Sequence, residues 1–311
     1  MPIANCVLPL RPPAFGPRAD ILGRGREGRS LAVRIVTDST ADMSPQLTRE
    51  LGVTVVPLSV IFGDEVFKEG VQIGHDLFYD KLVRGKVLPT TSAPSVGDFL
   101  QAYEPLLVGK DEVVSIHLSS KLSATHNNAR QAAEKLGERG GRVHIIDSQL
   151  VSLGMSFVVA AAARAAAEGA TVDEIKKIAA QMIPRVRIIV LLDTLEYVRR
   201  GGRIGRARAF LGNMLRVKPI LYIRDGEVHP GERVRTKIQA QERIFQIVTS
   251  YPRVADAAVA YSTNAADANE MAKRLREALP GVACGVTRLG PVIGVHGGPG
   301  VLGIGVLEGE E

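Results

Sequence analysis

The chain has 311 residues, of which 45% are hydrophobic and 23% charged, a net charge of +6, and two cysteines, Cys6 and Cys284. This is the composition of a globular protein with a sizeable core, and it excludes a disordered or collagen-like chain, a disulfide framework and a CxxC or Cys/His zinc site. No run approaches the ~18 apolar residues of a membrane-spanning helix, so the chain reads as cytoplasmic and metal-free.

Half of the positive excess lies in residues 1–31, where Arg11, Arg18, Arg24, Arg26 and Arg29 stand against Asp20 and Glu27. This stretch has prolines, no hydrophobic periodicity and no apolar centre of a signal peptide, and it reads as a disordered basic leader. From Ala32 onward, short apolar strands alternate with helical patterns, the signature of an α/β sheet. A strand is predicted at 31–36. Ser44 then caps a helix that Pro45 opens and Gly52 closes. A β-branched run predicts one strand over 53–62. Strands at 112–118 and 143–146 flank an amphipathic helix at 124–136. An alanine-rich helix at 152–167 follows, and Thr171-x-x-Glu174 is a capping box for a helix that ends before Pro184. Past Pro184 the pattern changes. A strand at 187–192 precedes a hairpin over 219–230 that turns at Asp225-Gly226. A strand at 257–261, a helix at 266–278 and strands at 284–288 and 302–307 complete the chain. This second half reads as α+β with antiparallel pairing. The expected division is an α/β domain over 32–188 and an α+β domain over 189–311.

The usual catalytic motifs fail on context. Gly23-x-Gly25-x-x-Gly28 has no strand before it, and Gly298-x-Gly300-x-x-Gly303 leaves only eight residues for a crossover helix and second strand. Gly154-Met155-Ser156 lacks the second glycine of a nucleophile elbow, where Val158 stands. What remains is hydroxyl clustering at two turns: Thr90-Thr91-Ser92-Ala93-Pro94-Ser95, with Ser95 and Asp98 as a cap pair, and Ser119-Ser120-Lys121-Leu122-Ser123-Ala124-Thr125. One hydroxyl suffices to cap a helix and each turn offers at least four. Two readings stay open, capping alone or an anion site built from hydroxyls and free amides. His296-Gly297-Gly298-Pro299-Gly300 reads either as a tight turn or as a loop that brings amides and an imidazole to a ligand. Five arginines between Arg199 and Arg208 form a solvated face, a phosphate patch or a docking site for an acidic partner. No aromatic residues are interleaved to stack bases, so nucleic acid is not expected.

Taken in order, these segments resemble the DegV family of bacterial fatty-acid-binding proteins, from about Val33 to Leu307. The resemblance rests on Thr37-Asp38-Ser39-Thr40-Ala41-Asp42, Thr91-Ser92-Ala93-Pro94-Ser95, Ser119-Ser120-x-Leu122-Ser123-x-Thr125 and Asp147-Ser148. Gly201-Gly202-Arg203-Ile204, Lys218-Pro219-Ile220, Val234-Arg235-Thr236 and His296-x-Gly298-Pro299-Gly300 continue the series. The resemblance implies a two-domain α/β protein, an N-terminal Rossmann-like α/β/α sheet followed by a C-terminal α+β domain with antiparallel strands. It implies a non-enzymatic subunit that holds one long-chain fatty acid in a tunnel and presents its carboxylate to an ATP-binding kinase subunit, yielding acyl phosphate for phospholipid synthesis, with transient membrane contact. The ligand is the fatty acid, with no cofactor or metal.

By the same resemblance Thr91 and Ser123 contact the carboxylate, Ser92, His296 and Gly297 lie nearby, and Arg203 and Arg235 serve partner docking. Two positions depart from the family pattern: Ala93 replaces the usual glutamine, and Ala124 puts a Cβ where glycine is usual. The physics agrees with a lipid binder. At ~0.8 kcal/mol per buried methylene, a sixteen-carbon tail offers roughly 12 kcal/mol before ordering costs, so the head group needs only neutral donors. The alternative is a Ser/His hydrolase that uses Ser123 and His296.

Overall fold

The computed structural model describes residues 32–213 and 217–310; the basic leader, with its arginines and first glycine motif, lies outside them. The run Val-Arg-Ile-Val-Thr-Asp is almost wholly buried and forms β1 (Val33–Asp38). Ser44 Oγ accepts the Leu47 N–H and Pro45 opens α1 (Pro45–Glu50), as the sequence predicts. The expected single strand over 53–62 is instead two. Pro57, which has no N–H and restricts the residue before it, separates β2 (Thr54–Val56) from β3 (Ser59–Phe62), and the two belong to different sheets. Next come β4 (Glu65–Lys68), α2 (His75–Arg84) and β5 (Thr90–Ser92), none of them predicted. They are followed by α3 (Val96–Tyr103), β6 (Glu112–His117), α4 (Thr125–Lys135), β7 (Val143–Asp147), α5 (Leu153–Ala167) and α6 (Val172–Met182). The Ser95/Asp98 and Thr171/Glu174 capping boxes both form.

Strands β2-β1-β6-β7 make a parallel sheet. On one face Val36 and Val113 pack with Phe99 and Tyr103 of α3 and the alanines of α4. On the other, Ile35, Val114 and Ile116 pack with α5 and α6. Strands β4-β3-β5 form a small antiparallel sheet that packs with α2.

The rest of the chain comprises β8 (Val186–Leu191), α7 (Glu196–Arg200), β9 (Lys218–Arg224), β10 (Glu227–Val234), α8 (Lys237–Thr249), β11 (Val254–Tyr261), α9 (Ala265–Ala278), β12 (Cys284–Arg288), α10 (Pro291–Gly297) and β13 (Leu302–Glu308). The six-stranded sheet runs β10-β9-β8-β13-β11-β12, and all its pairings are antiparallel except β11 with β12. Alternate residues of β13 face opposite ways. Leu302, Ile304 and Val306 pack under α8 and α9, while Gly305 faces α5. Alanine-rich α5 is buried on nearly all sides and packs against strands of both large sheets. Gly154 permits that approach, because a Cβ there would stand 2.5 Å from Ile188 Cδ1. No helix of the described residues is long and apolar enough to cross a membrane.

Candidate ligand-binding site

The hydroxyl-rich turn after β6 divides its groups between scaffold and cavity. Ser119 Oγ donates to the Gly226 carbonyl in the β9–β10 turn (2.7 Å), and Ser120 Oγ donates to Asp147 (2.5 Å). Lys121 Nζ reaches the Asp225 carbonyl at 2.8 Å. Ser123 is the hydroxyl left for the cavity. Its Oγ lies 2.8 Å from Thr125 Oγ1 and accepts the Thr125 N–H at 3.3 Å. Ala124 lies in the right-handed region (φ −72°), so its Cβ fits the turn without strain. Thr91 does not open a helix, contrary to expectation; it is the middle residue of β5. Strand alternation sends it into the cavity and leaves Ser92 exposed.

His296 is not on a loop, as its glycine-rich context predicts, but in the last turn of α10. Its Nε2 lies 3.0 Å from Thr91 Oγ1. Its Nδ1 is buried with no hydrogen-bond partner among the described residues, hard against Gly201, where a Cβ would collide with the ring. Burial, and then the charge of Arg203, push the imidazole down to about 4, so the ring is neutral at pH 7. A neutral ring protonated on Nε2 donates to Thr91 and frees the threonine hydroxyl to donate onward. Arg203 stands in the same wall. Its Nε donates to the Leu122 carbonyl (3.1 Å) and its Nη1 to the Gly201 carbonyl (2.7 Å), which ties the end of α7 to the Ser123 turn.

Thr91, Ser123, Arg203, His296 and Gly297 all line one cavity of about 150 Å³. Its remaining wall is mainly aliphatic and comes from both halves of the chain, with Leu118 and Leu122 facing Ile188, Val190, Leu221 and Ile304. Behind it lies a buried chain of polar groups. Thr40, itself a lining residue, donates its hydroxyl to Asp38 Oδ1 (2.5 Å). Asp38 Oδ2 accepts the Leu118 N–H (3.0 Å) and lies 3.0 Å from His117 Nδ1. His117 Nε2 is 2.7 Å from Ser115 Oγ, which lies 2.9 Å from Tyr103 Oη. Serine, histidine and aspartate here match the residue types of a hydrolase triad, but all three are wholly buried and the serine is engaged by tyrosine. This chain fixes the ends of β1 and β6 under the cavity.

A family model described as "Uncharacterised protein, DegV family" matches residues 32–309. The chain belongs to the DegV family. It is 37% identical over 277 residues to a DegV domain-containing protein of Deinococcus radiodurans, covering 88% of this chain and 98% of that one. Its fold is similar to that of a fatty-acid-binding DegV family protein from Thermus thermophilus, with a TM-score of 0.82, 33% identity, and coverage of 89% of this chain and all of the other. A stearic-acid-binding protein from Eubacterium ventriosum superposes with a TM-score of 0.83 at 25% identity, over 89% and 98% of the two chains. The mixed α/β architecture is therefore that of the DegV family.

Among the residues singled out in this DegV chain, the structure brings Thr91, Ser123, His296, Gly297 and Arg203 to one cavity, and leaves out Ser92 and Arg235. Arg235 lines a separate polar concavity with Asp193, Lys218 and Arg233. Arg203, expected to serve docking more than the pocket, is part of the cavity wall. Ser123 and His296 form no mutual hydrogen bond among the described residues, each being held by a different threonine; the hydrolase alternative needs that bond. The residues that sequence reasoning missed are those that hold the others. Asp38 stood in the Thr37–Asp42 motif, and His117 alternates with Ser115 on one face of β6. Asp42 closes that motif with no sign of its partner, and Glu69 carried no signal; they grip the start of α10 across more than two hundred residues.

Proposed function

We propose that this chain binds one long-chain fatty acid in the cavity, with the carboxylate at Thr91 and Ser123 and beside His296, and presents that carboxylate to an ATP-binding kinase subunit that converts it to acyl phosphate. The observation that carries the reading is that two hydroxyls and a neutral imidazole stand in the wall of one largely aliphatic cavity. An acyl tail supplies most of the affinity by burial. Neutral donors orient the anion without the tight bidentate pairing that would compete with phosphoryl transfer. The relatives described as fatty-acid-binding and stearic-acid-binding support the same ligand class.

On this reading the chain is a carrier without catalytic groups of its own, and the kinase supplies the chemistry. Arg203 serves both wall and docking. Its side chain is exposed at the cavity, and Arg235, which lines the separate concavity with Lys218 and Arg233, is an additional contact for an acidic partner surface. The test is reconstitution: the palmitate-loaded chain, the ATP-binding subunit and ATP are incubated and acyl phosphate is trapped as the hydroxamate. Product that needs both proteins supports the reading. Hydroxamate formed by the kinase alone at the same rate, or none with both proteins present, refutes it.

A further inference from the structure

The cavity depends on α10, a seven-residue helix whose first end is held in an unusual way. Gly290 N–H donates to Asp42 Oδ1 (2.9 Å) and Val292 N–H to Glu69 Oε1 (2.8 Å). The two oxygens flank one point, since a Cβ at Gly290 would stand 2.7 Å from Asp42 Oδ1 and 2.5 Å from Glu69 Oε1. Two acidic side chains from other parts of the chain therefore converge on the N–H groups that flank Pro291 in a buried place. Asp42 Oδ2 accepts the Ser152 hydroxyl. Glu69 Oε2 is buried, and the Ser39 hydroxyl is the neutral side chain that donates to this carboxylate. No lysine or arginine among the described residues forms an ion pair with either carboxylate. From the other end of the same helix, His296 meets Thr91, and Val292 and Ile293 line the cavity between.

We propose that Asp42 and Glu69 are positioning residues of the site, which share a proton, hold α10 by its first turn and so set His296 against Thr91, making ligand retention fall as the shared proton is lost. This rests on the fatty-acid reading above. The physical reason is that two carboxylates a few ångströms apart, out of water and without a cation, are not both ionised at moderate pH. One proton between them leaves a single negative charge, which the amides of the helix start satisfy. A second charge repels the first and pushes the two loops apart, and the amides they hold move with them.

Burial, then mutual repulsion, raises Asp42 to about 8, and burial raises Glu69 to about 7; the values belong to the coupled pair. The charged and titratable groups around the pair are few. Asp38 at the end of β1 adds repulsion to both and is itself engaged by His117. Tyr79 of α2 donates to the Leu289 carbonyl and stays neutral throughout. Arg288 of β12 lies over the Tyr79 ring and pairs with Asp76. His296 is neutral across the range concerned.

The test loads the full chain with cis-parinaric acid and measures its release rate between pH 6.5 and 8.5 in the native protein, Glu69→Gln and Asp256→Asn. The control is needed because Asp256, buried in β11, is raised to about 7 as well. In the native chain and in Asp256→Asn, release should quicken by about tenfold across the range, a typical coupling between two sites. Glu69→Gln keeps an oxygen for Val292 and removes the second charge, so its profile should be flat. An unaltered profile in Glu69→Gln, or a flat one in Asp256→Asn, overturns the proposal while leaving the fatty-acid reading intact. Failure of the native chain to bind the probe at pH 6.5 overturns both. Should Glu69→Gln fail to fold, carbon-13 NMR of the native protein's carboxyl groups decides. Retention of at least one carboxyl proton by the pair above pH 6 supports the shared proton, and titration of both groups below pH 5 overturns it.

Discussion

Ser123 and Thr91 have different partners, and their substitutions separate positioning from affinity. Each hydroxyl is a neutral donor whose hydrogen bond to a charged carboxylate is worth about 1.5–3 kcal/mol, against a tail whose burial is worth far more. Ser123→Ala is therefore expected to weaken fatty-acid binding by about ten- to a hundredfold by isothermal titration, leaving most of the affinity with the tail. Acyl phosphate formation should fall further, because a misplaced carboxylate loses alignment with the donor phosphate. Equal losses in binding and phosphorylation would make Ser123 a simple affinity contact. At this scale the sequence was partly legible. Redundant hydroxyls and a histidine beside glycines mark surfaces where capping alone explains too little, and Thr91, Ser123 and His296 do meet one cavity. Ser92 shows the limit, since neighbours in a strand face opposite sides and the strand itself was unforeseen. Asp42 and Glu69 were illegible for another reason. Nothing in a lone acidic residue tells which distant amide it accepts from.

The elements that shape the site are short and held by contacts rather than propensity. Gly201 ends α7 against the His296 ring, with room for hydrogen only. Gly201→Ala should displace the ring from Thr91 and accelerate fatty-acid release, while the thermal midpoint falls by only a few degrees, about 1 kcal/mol. Release unchanged in Gly201→Ala would show that the position of His296 does not govern retention. Strong local signals made most of the helices readable. Ser44-Pro45, Ser95 with Asp98, and Thr171 with Glu174 all form as caps. By contrast α2 starts at Gly74 with no side-chain cap and α10 starts at Gly290 with its cap supplied from elsewhere. Both lack the local signature that a reader of sequence relies on. The split at Pro57 was present in the sequence, but the β-branched run around it outweighed one residue.

For the whole molecule, the shifted groups set the pH of greatest stability. Asp42, Glu69 and Asp256 have folded-state values raised to about 8, 7 and 7 by burial. The folded state binds more protons than the unfolded chain between the ordinary carboxylate range, about 4, and these raised values, so this contribution is full below that range and is lost progressively as pH rises to 7 to 8. His296 has the opposite sign. Lowered to about 4, it contributes stability above the ordinary histidine range that is lost as pH falls from 6.5 towards 4. Three raised carboxyls outweigh one lowered histidine, so the urea midpoint is expected to be highest near pH 4 to 5 and to decline as pH rises towards 8, and a midpoint that climbs steadily from pH 5 to pH 9 would contradict these assignments. The α/β class and the antiparallel second half were legible from strand spacing alone. The joining of the sheets through α5 and the small β4-β3-β5 sheet was not, because both depend on which surfaces meet. The central claim, that the cavity holds one fatty acid, is tested most directly by native mass spectrometry of the chain purified from bacterial cells without added lipid. The account predicts a dominant species heavier than the polypeptide by the mass of a single long-chain fatty acid, which organic extraction removes and added palmitate restores. A bare polypeptide that takes up no palmitate under the same conditions would contradict it.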